Sequence, residues 1–125
     1  MIYGLGTDLV EVERIAEKIE RTAGFKEMIF SAGEINYCET KTHRFEHYAA
    51  RFAAKEAFFK ALGTGWLSGT AFNHLQITND ANGKPFLELN DQTRATVAQL
   101  GQFNIHVSLS HTRTMATATV ILETK

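Results

Sequence analysis

The spacing of apolar positions predicts one long helix in the middle of the chain. It begins near Phe45 and ends at Gly63, a residue type that readily takes the left-handed conformation that closes helices. Residues three, four or seven apart share one face of a helix, and Phe45, Phe52 and Phe59 fall on such a face. We expect the rest of the chain to be organised around this helix.

The residues before this helix predict a short strand followed by another helix. Residues 2–5 fit a strand that ends at Asp8, and apolar residues then recur at helical spacing over residues 12–19. Gly4 and Gly6, on one side of the strand, leave room for something to approach the backbone closely.

The remaining segments alternate between turns, hairpin strands and one further helix. Residues 25–44 fit a short helix and a loop. The later pattern predicts strands at 72–78 and 85–89 around a turn at 79–84, a helix at 91–100, and strands at 105–110 and 115–122. Helices and antiparallel hairpins segregated in this way indicate an α+β fold, which we expect to be a single domain over residues 1–125.

Composition and charge are typical of an ordinary folded domain. The chain has 125 residues, 44% of them hydrophobic, which is enough for one domain with its own core. Its 13 basic and 14 acidic residues nearly cancel, so no overall charge favours nucleic acid or a membrane surface as partner. The single cysteine, Cys38, lacks the neighbours of a reactive thiol and is expected to be structural. With no secretion signal or membrane span in the sequence, we expect a cytoplasmic protein.

Glu56 is the exception on the apolar face of the long helix, because it lies between Phe52 and Phe59. An unpaired carboxylate buried there would be costly, so a cation should meet it. The basic residue one turn along is Lys60. Two interpretations stay open: the face is a functional site, or Lys60 is a structural tether for Glu56.

Asp8 is a second carboxylate with two interpretations, a cap on the following helix or a ligand that faces the glycine-lined gap. Two carboxylates with open coordination positions suit Mg²⁺, which takes its other ligands from water and phosphate. Lys60 could place a charge on a phosphate oxygen, and Ser110, His111 and Thr112 form a polar loop. Without a nucleophile motif, these residues indicate a metal-assisted reaction at a phosphate whose nucleophile comes from a substrate.

Arg14, Lys18 and Arg21 form a basic stripe along the first predicted helix, at spacings of four and three residues, with Phe25 just beyond it. Such a stripe is often a solvated face whose charges pair with nearby glutamates. The alternative is a binding surface for an acidic partner.

Several segments together form a pattern that extends along essentially the whole chain. They are GLGTDLVEVERI at residues 4–15, RFAAKEAFFKALGTG at 51–65 and HVSLSHT at 106–112, with NGKP at 82–85. In order and spacing the chain resembles the bacterial holo-acyl-carrier-protein synthases, the small class of 4′-phosphopantetheinyl transferases. The KEAxxKA run, together with an aspartate at the end of the first strand, is specific to that superfamily.

The resemblance implies an enzyme that transfers the 4′-phosphopantetheine arm of coenzyme A to a serine hydroxyl of apo acyl carrier protein. The other product is adenosine 3′,5′-bisphosphate, and the reaction supports fatty acid biosynthesis. Asp8 and Glu56 would hold Mg²⁺, Glu56 is the better candidate to accept the serine proton, and Lys60 would steady the pyrophosphate. Contacts to the nucleotide end of coenzyme A are expected from Arg51, Gly83, Lys84, Pro85 and His111, with hydroxyl groups from Ser110 and Thr112.

The resemblance also implies partners. Acyl carrier protein is strongly acidic and docks on the first helix in this family, so Arg14, Lys18, Arg21 and Phe25 become its expected binding residues. Similar enzymes are homotrimers with active sites between protomers, which would let Asp8 and Glu56 meet across a subunit boundary. The alternatives are a binding module without catalysis and a structural protein in which Glu56 and Lys60 form a buried ion pair.

Overall fold

The computed structural model describes residues 1–125 as helices and antiparallel strands. The helices are Val12–Arg21 (α1), Phe25–Ile29 (α2), Ala32–Glu39 (α3), Arg44–Leu62 (α4) and Asp91–Ala98 (α5). The strands are Ile2–Glu11 (β1), Leu75–Asn79 (β2), Pro85–Leu89 (β3), Phe103–His111 (β4) and Met115–Thr124 (β5). A 3₁₀ turn, Phe72–His74, precedes β2. No helix combines the length and the apolar character needed to cross a membrane.

The strands form two antiparallel sheets. β5 lies in the middle of a three-stranded sheet with the order β1–β5–β4, in which Gly6 is opposite Val120 and Ile105 is opposite Leu122. β2 and β3 form a separate hairpin. The α+β class predicted from the sequence, with a long central helix packed on antiparallel strands, is confirmed.

Helix α4 packs on the inner face of the three-stranded sheet at very close range. A Cβ atom on Gly4 would lie 1.8 Å from the carbonyl oxygen of Ala61, and one on Gly6 would lie 1.9 Å from that of Ala57. No side chain fits at either position, so the glycine-lined gap expected from the sequence is filled by the helix itself. The residues of α4 that face the two glycines are Ala57 and Ala61, whose small side chains also let the helix lie close to β1.

Two hydrophobic clusters surround α4. The larger one packs the C-terminal half of the helix against the strands, with Phe58, Leu62, Leu75, Ile77, Val120 and Leu122 among its members. The smaller cluster packs the N-terminal half against α1, α2 and α3, with Ile15, Phe25, Phe30, Cys38 and Tyr48 among its members. Cys38 is fully buried in this cluster, as expected of a structural cysteine, and burial raises the pKa of its thiol to about 12.

A fully buried ion pair, Lys55 with Glu34, joins α4 to α3. The Nζ atom of Lys55 lies 2.5 Å from Oε1 of Glu34 and donates at 2.7 to 2.9 Å to the backbone carbonyls of Ile29, Phe72 and Leu75. Glu34 also accepts, at 3.0 Å, from one backbone N–H at the start of α3 and one in β2. Burial lowers the pKa of Lys55, and the charge of Glu34 opposes that shift.

Strand β1 is longer than the sequence predicted, and Asp8 lies inside it rather than at its end. Pairing with β5 continues as far as Glu11, which is opposite Met115, and the hydroxyl of Thr117 donates to the Asp8 carbonyl at 2.9 Å. Glu11 is the residue that precedes α1. The interpretation of Asp8 as a helix cap is therefore wrong.

The segment at 25–44 holds two helices, α2 and α3, instead of one short helix and a loop. α3 begins with a capping box: the Ser31 hydroxyl accepts from the Glu34 N–H at 3.1 Å, and the Glu34 side chain accepts from the Ser31 N–H at 3.0 Å. This serine–glutamate spacing is a recognised helix-start signal that could have predicted α3. The strand predicted to begin at residue 72 begins at Leu75, after the 3₁₀ turn.

Replacing Lys55 by Met should lower the free energy of unfolding by about 3–5 kcal/mol, because the buried carboxylate of Glu34 would lose its cation. Urea unfolding at one fixed protein concentration measures this. Lys60→Met is the matched control, since Lys60 is on the same helix with its side chain 53% exposed. Equal midpoints for wild type and Lys55→Met would contradict a stabilising role for the pair.

Candidate functional site

The carboxylate cluster, which we define as Asp8, Glu56 and Lys60, lies where β1 meets α4. Gly4, Gly6 and Asp8 share one face of β1, so Asp8 follows the two glycines along the helix-facing side. The Nζ atom of Lys60 lies 3.0 Å from Oδ1 of Asp8 and also donates to the carbonyl of the preceding residue at 3.0 Å. Packing of α4 on β1 thus brings Asp8 to Glu56 and Lys60 within one chain, so Asp8 and Glu56 do not need a subunit boundary to meet, in contrast to the expectation from the resemblance.

Glu56 forms no hydrogen bond and no ion pair within the chain, although the sequence indicated that a cation should meet it. Burial raises the pKa of the Glu56 carboxyl group, the nearby charge of Asp8 raises it further, and Lys60 and Lys18 oppose the shift. Of the two interpretations left open, the structural tether between Lys60 and Glu56 is wrong, because Lys60 extends to Asp8 instead. Glu56 therefore remains a partly buried carboxylate close to a second negative charge.

This arrangement has the chemistry that a divalent cation requires. The charge of Asp8 makes ionisation of Glu56 less favourable, and a cation bound between the two carboxylates would reverse that effect. No group of three or more His, Cys, Asp and Glu side chains is positioned to enclose a metal ion. Mg²⁺ needs no such enclosure, because one or two carboxylates with water and substrate phosphates satisfy it.

A cavity of about 170 Å³, which we call the Arg51 cavity, brings together four other predicted site residues: Arg51, Gly83, Pro85 and His111. The remaining lining residues are Tyr37, His47, Ala50, Asn79 and Leu109. The loop between β2 and β3, the N-terminal half of α4 and the end of β4 thus meet at one place. None of the three residues of the carboxylate cluster lines this cavity.

Arg51 is held firmly in the wall of the Arg51 cavity and is only 3% exposed. Its Nη2 donates to Oδ1 of Asn79 at 3.0 Å, and its guanidinium carbon lies 4.2 Å from the centre of the Tyr37 ring. Asn79 also donates to the carbonyl of Gly83 at 3.0 Å, which ties the turn to the arginine. The Nε atom of Arg51 is buried without a partner, so one donor of the guanidinium is unused.

Lys84, Ser110 and Thr112 do not line the Arg51 cavity, although the resemblance grouped them with the residues that do. Lys84 is exposed, with Nζ 5.5 Å from the centre of the Phe86 ring. Ser110 is exposed and alternates along β4 with Leu109 and His111. The Thr112 hydroxyl accepts from two backbone N–H groups of the turn at 3.3 and 3.1 Å.

His111 is hydrogen-bonded to a carboxylate that the sequence did not single out. Its Nδ1 lies 2.9 Å from Oε1 of Glu46, a residue that is 8% exposed. The His111 ring also meets the His47 ring edge to face, with 5.2 Å between ring centres. Burial lowers the pKa of His47, and the charge of His111 lowers it further.

Glu46 also lines a larger cavity of about 520 Å³, which we call the basic cavity. Its basic lining residues outnumber the acidic ones, so it suits an anionic ligand better than a cationic one. The basic residues are Lys41, His43, Arg44 and Arg113, and the acidic ones are Glu39 and Glu46. No motif in the sequence predicted this cavity.

The basic stripe is exposed along α1, and none of Arg14, Lys18 and Arg21 forms an ion pair within the chain. The neighbouring glutamates therefore leave these charges available. Phe25 differs from the expectation, because it is only 9% exposed and packs in the smaller cluster, with Lys18 Nζ 5.8 Å from its ring centre. Met28, one turn further along α2 and 60% exposed, offers the apolar surface that Phe25 does not.

Comparisons with known proteins agree with this fold. The family model of the 4′-phosphopantetheinyl transferase superfamily matches residues 4–119. A holo-[acyl-carrier-protein] synthase of Solibacter usitatus is 47% identical over 124 residues, which are 98% of this chain and 99% of that protein. One of Cytophaga hutchinsonii is 44% identical over 123 residues, 97% of each chain.

A solved structure gives the same result. The crystal structure of a holo-(acyl-carrier-protein) synthase from Bacillus anthracis in complex with CoA (3′,5′-ADP) is 34% identical, with a TM-score of 0.83 over 100% of this chain and 99% of that one. The chain therefore belongs to the 4′-phosphopantetheinyl transferase superfamily and, within it, to the holo-[acyl-carrier-protein] synthases. The resemblance seen in the sequence motifs is confirmed.

Glu56→Gln should make the metal-free protein slightly more stable at neutral pH. A raised pKa in the folded state means that ionising Glu56 opposes folding. The gain in stability should be complete at pH values above the folded-state pKa of Glu56. It should vanish below the unfolded-state pKa of about 4.3, where the carboxyl group is protonated in both states.

Thermal unfolding of both proteins in EDTA, across a series of pH values, measures this difference. A lower Tm for Glu56→Gln at neutral pH would contradict the expectation and would favour a structural ion pair at Glu56.

Proposed function

We propose that this enzyme transfers 4′-phosphopantetheine from coenzyme A to a serine hydroxyl of apo acyl carrier protein, with Mg²⁺ bound by Asp8 and Glu56. The products are holo acyl carrier protein and adenosine 3′,5′-bisphosphate. The reaction would take place in the cytoplasm and support fatty acid biosynthesis. The observation that carries the proposal is the carboxylate cluster, in which two carboxylates and a lysine gather on a scaffold of this family.

The residues of the cluster match the needs of phosphoryl transfer, which depends mainly on positioning and charge stabilisation. The serine oxygen bonds to the phosphorus that carries pantetheine, and the bond from that phosphorus to the bridging oxygen breaks. Glu56 takes the serine proton, because it is the carboxylate of the cluster that has no ion-pair partner, whereas Asp8 is paired with Lys60. When bound, Mg²⁺ supplies charge neutralisation at the phosphates.

Lys60 contributes a mobile charge to the same step. Its side chain is 53% exposed and is held only by Asp8 and one backbone carbonyl. It can therefore turn to a pyrophosphate oxygen when coenzyme A is present, as a lysine near transferred phosphates commonly does.

The nucleotide end of coenzyme A fits the region around His111. The guanidinium of Arg51 lines the Arg51 cavity, and the basic cavity presents an excess of positive charge. Both suit the phosphates and the base of a nucleotide. Arg51, Gly83, Pro85 and His111 are the residues that we propose for this contact.

We propose that three copies assemble through the outer face of the three-stranded sheet. Leu5 and Leu9 are 63% and 65% exposed there, and Leu5 is opposite Ile121 of β5, so the apolar surface continues across strands. Exposed apolar surface of this kind marks an interface. None of the three residues of the carboxylate cluster lines the Arg51 cavity of the same chain. Assembly would place the cluster of one protomer next to the Arg51 cavity of a neighbouring protomer.

The mass of apo acyl carrier protein after incubation with this protein, coenzyme A and Mg²⁺ tests the proposal. We expect a gain of one phosphopantetheine group and loss of that gain in EDTA. Asp8→Asn should slow transfer about 10²-fold or more, because one ligand of the charge-neutralising ion is weakened. A module that only binds coenzyme A would show no gain with any divalent metal, and that result would overturn the transferase.

Reversing two charges of the basic stripe, Arg14→Glu with Arg21→Glu, should raise the KM for acyl carrier protein about tenfold, because the exposed stripe attracts an acidic partner. The KM for coenzyme A should not change. The matched control is Arg94→Glu with Lys125→Glu, which changes the net charge equally but far from α1 in the sequence. An unchanged KM for acyl carrier protein in the variant with Arg14→Glu and Arg21→Glu would refute the basic stripe as its docking surface.

A further inference from the structure

Glu46 is a buried carboxylate that has no part in the reaction as described above. Its Oε1 accepts from Nδ1 of His111 at 2.9 Å, and its Oε2 lies 3.7 Å from Nε of Arg113 and 3.9 Å from Nδ1 of His43. It lies in the first turn of α4, where the helix dipole favours a negative charge. One buried acid thus contacts three basic side chains from two parts of the chain, the residue before α4 and the end of β4 with its turn.

We propose that Glu46 is a positioning residue for coenzyme A: it orients the ring of His111 so that Nε2 faces the ligand. A carboxylate can only accept, so the proton of this hydrogen bond is on Nδ1. In a neutral imidazole, the hydrogen-bond partner of one nitrogen determines whether the other nitrogen carries the proton, and therefore whether it donates or accepts a hydrogen bond. Because the ligand is taken to be coenzyme A, the inference rests on the proposed function.

The position of this hydrogen bond supports the role. His111 lines the Arg51 cavity and Glu46 lines the basic cavity, so the bond between them connects a lining residue of one cavity to a lining residue of the other. The edge-to-face contact with His47 fixes the ring from a second direction. A change at Glu46 would therefore act on the ligand through His111.

The charge of Glu46 and its positioning role predict opposite changes in the affinity for coenzyme A when Glu46 is replaced, which makes the inference easy to test. The nucleotide end of coenzyme A is anionic, so removal of a negative charge beside it should strengthen binding. If Glu46 acts by orienting His111, removal of its acceptor oxygen should weaken binding. The direction of the change distinguishes the two effects.

The experiment measures the Kd for coenzyme A by calorimetry in wild type, Glu46→Met, Glu46→Gln, His111→Ala and the double variant Glu46→Met/His111→Ala. We expect Glu46→Met, which keeps the volume but has no acceptor oxygen, to bind about tenfold more weakly. Glu46→Gln should stay near wild type, because its amide oxygen still accepts from Nδ1. In the absence of His111, Glu46→Met should cause no further weakening.

Two further measurements separate positioning from general damage. In turnover, Glu46→Met should raise the KM for coenzyme A and leave kcat unchanged. In ¹⁵N spectra of the neutral His111 ring, the proton should be on Nδ1 in wild type and in Glu46→Gln, and should be shared between both nitrogens in Glu46→Met. If Glu46→Met does not fold, the same comparisons are made with Glu46→Ala.

Asp91→Asn is the control for charge, since its side chain is exposed at the start of α5 and the change in net charge equals that of Glu46→Gln. Its Kd should equal that of wild type. Unchanged or tighter binding by Glu46→Met, or effects of Glu46→Met and His111→Ala that add, would overturn the inference. A wild type that binds coenzyme A without modifying the carrier would overturn the proposed function instead.

Discussion

The contact between β1 and α4 is the constraint on which the rest of the structure depends. Only hydrogen atoms fit between the α-carbons of Gly4 and Gly6 and the helix, so the two backbones lie against each other. Asp8 follows on the same face of the strand and meets the helix that carries Glu56 and Lys60. Any side chain at the glycines would push α4 away and separate Asp8 from both. The geometry of the carboxylate cluster is therefore a result of packing.

Local patterns explain how much of the fold and site could be predicted. The period of α4 and the turns of the hairpins depend on residues close in sequence, and Glu56 was found because it interrupts an apolar face. The partners of Glu34 and Glu46 could not be found in this way, because Lys55 is 21 residues and His111 is 65 residues away in the chain. The sequence also did not predict that the side chain of Lys60 extends to Asp8, because Asp8 lies on another element, β1.

Charged residues in this protein divide into those for which the fold supplies hydrogen-bond and ion-pair partners and those for which it does not. Lys55 is fully buried and has four hydrogen-bond acceptors, so it has nothing left to offer a ligand. Glu56 is partly buried, close to another carboxylate and without a partner. Incomplete satisfaction of this kind concentrates at functional sites, because a ligand can then supply what the fold does not.

The adjacency of Lys55 and Glu56 has a consequence for how α4 is oriented about its own axis. Neighbouring residues on a helix point about 100° apart, because one turn takes 3.6 residues. The four acceptors around Lys55 hold α4 at one rotational angle, since rotation in either direction would break several of them together. The direction of Glu56 is thereby set by contacts made on another side of the helix, among residues that are not part of the carboxylate cluster.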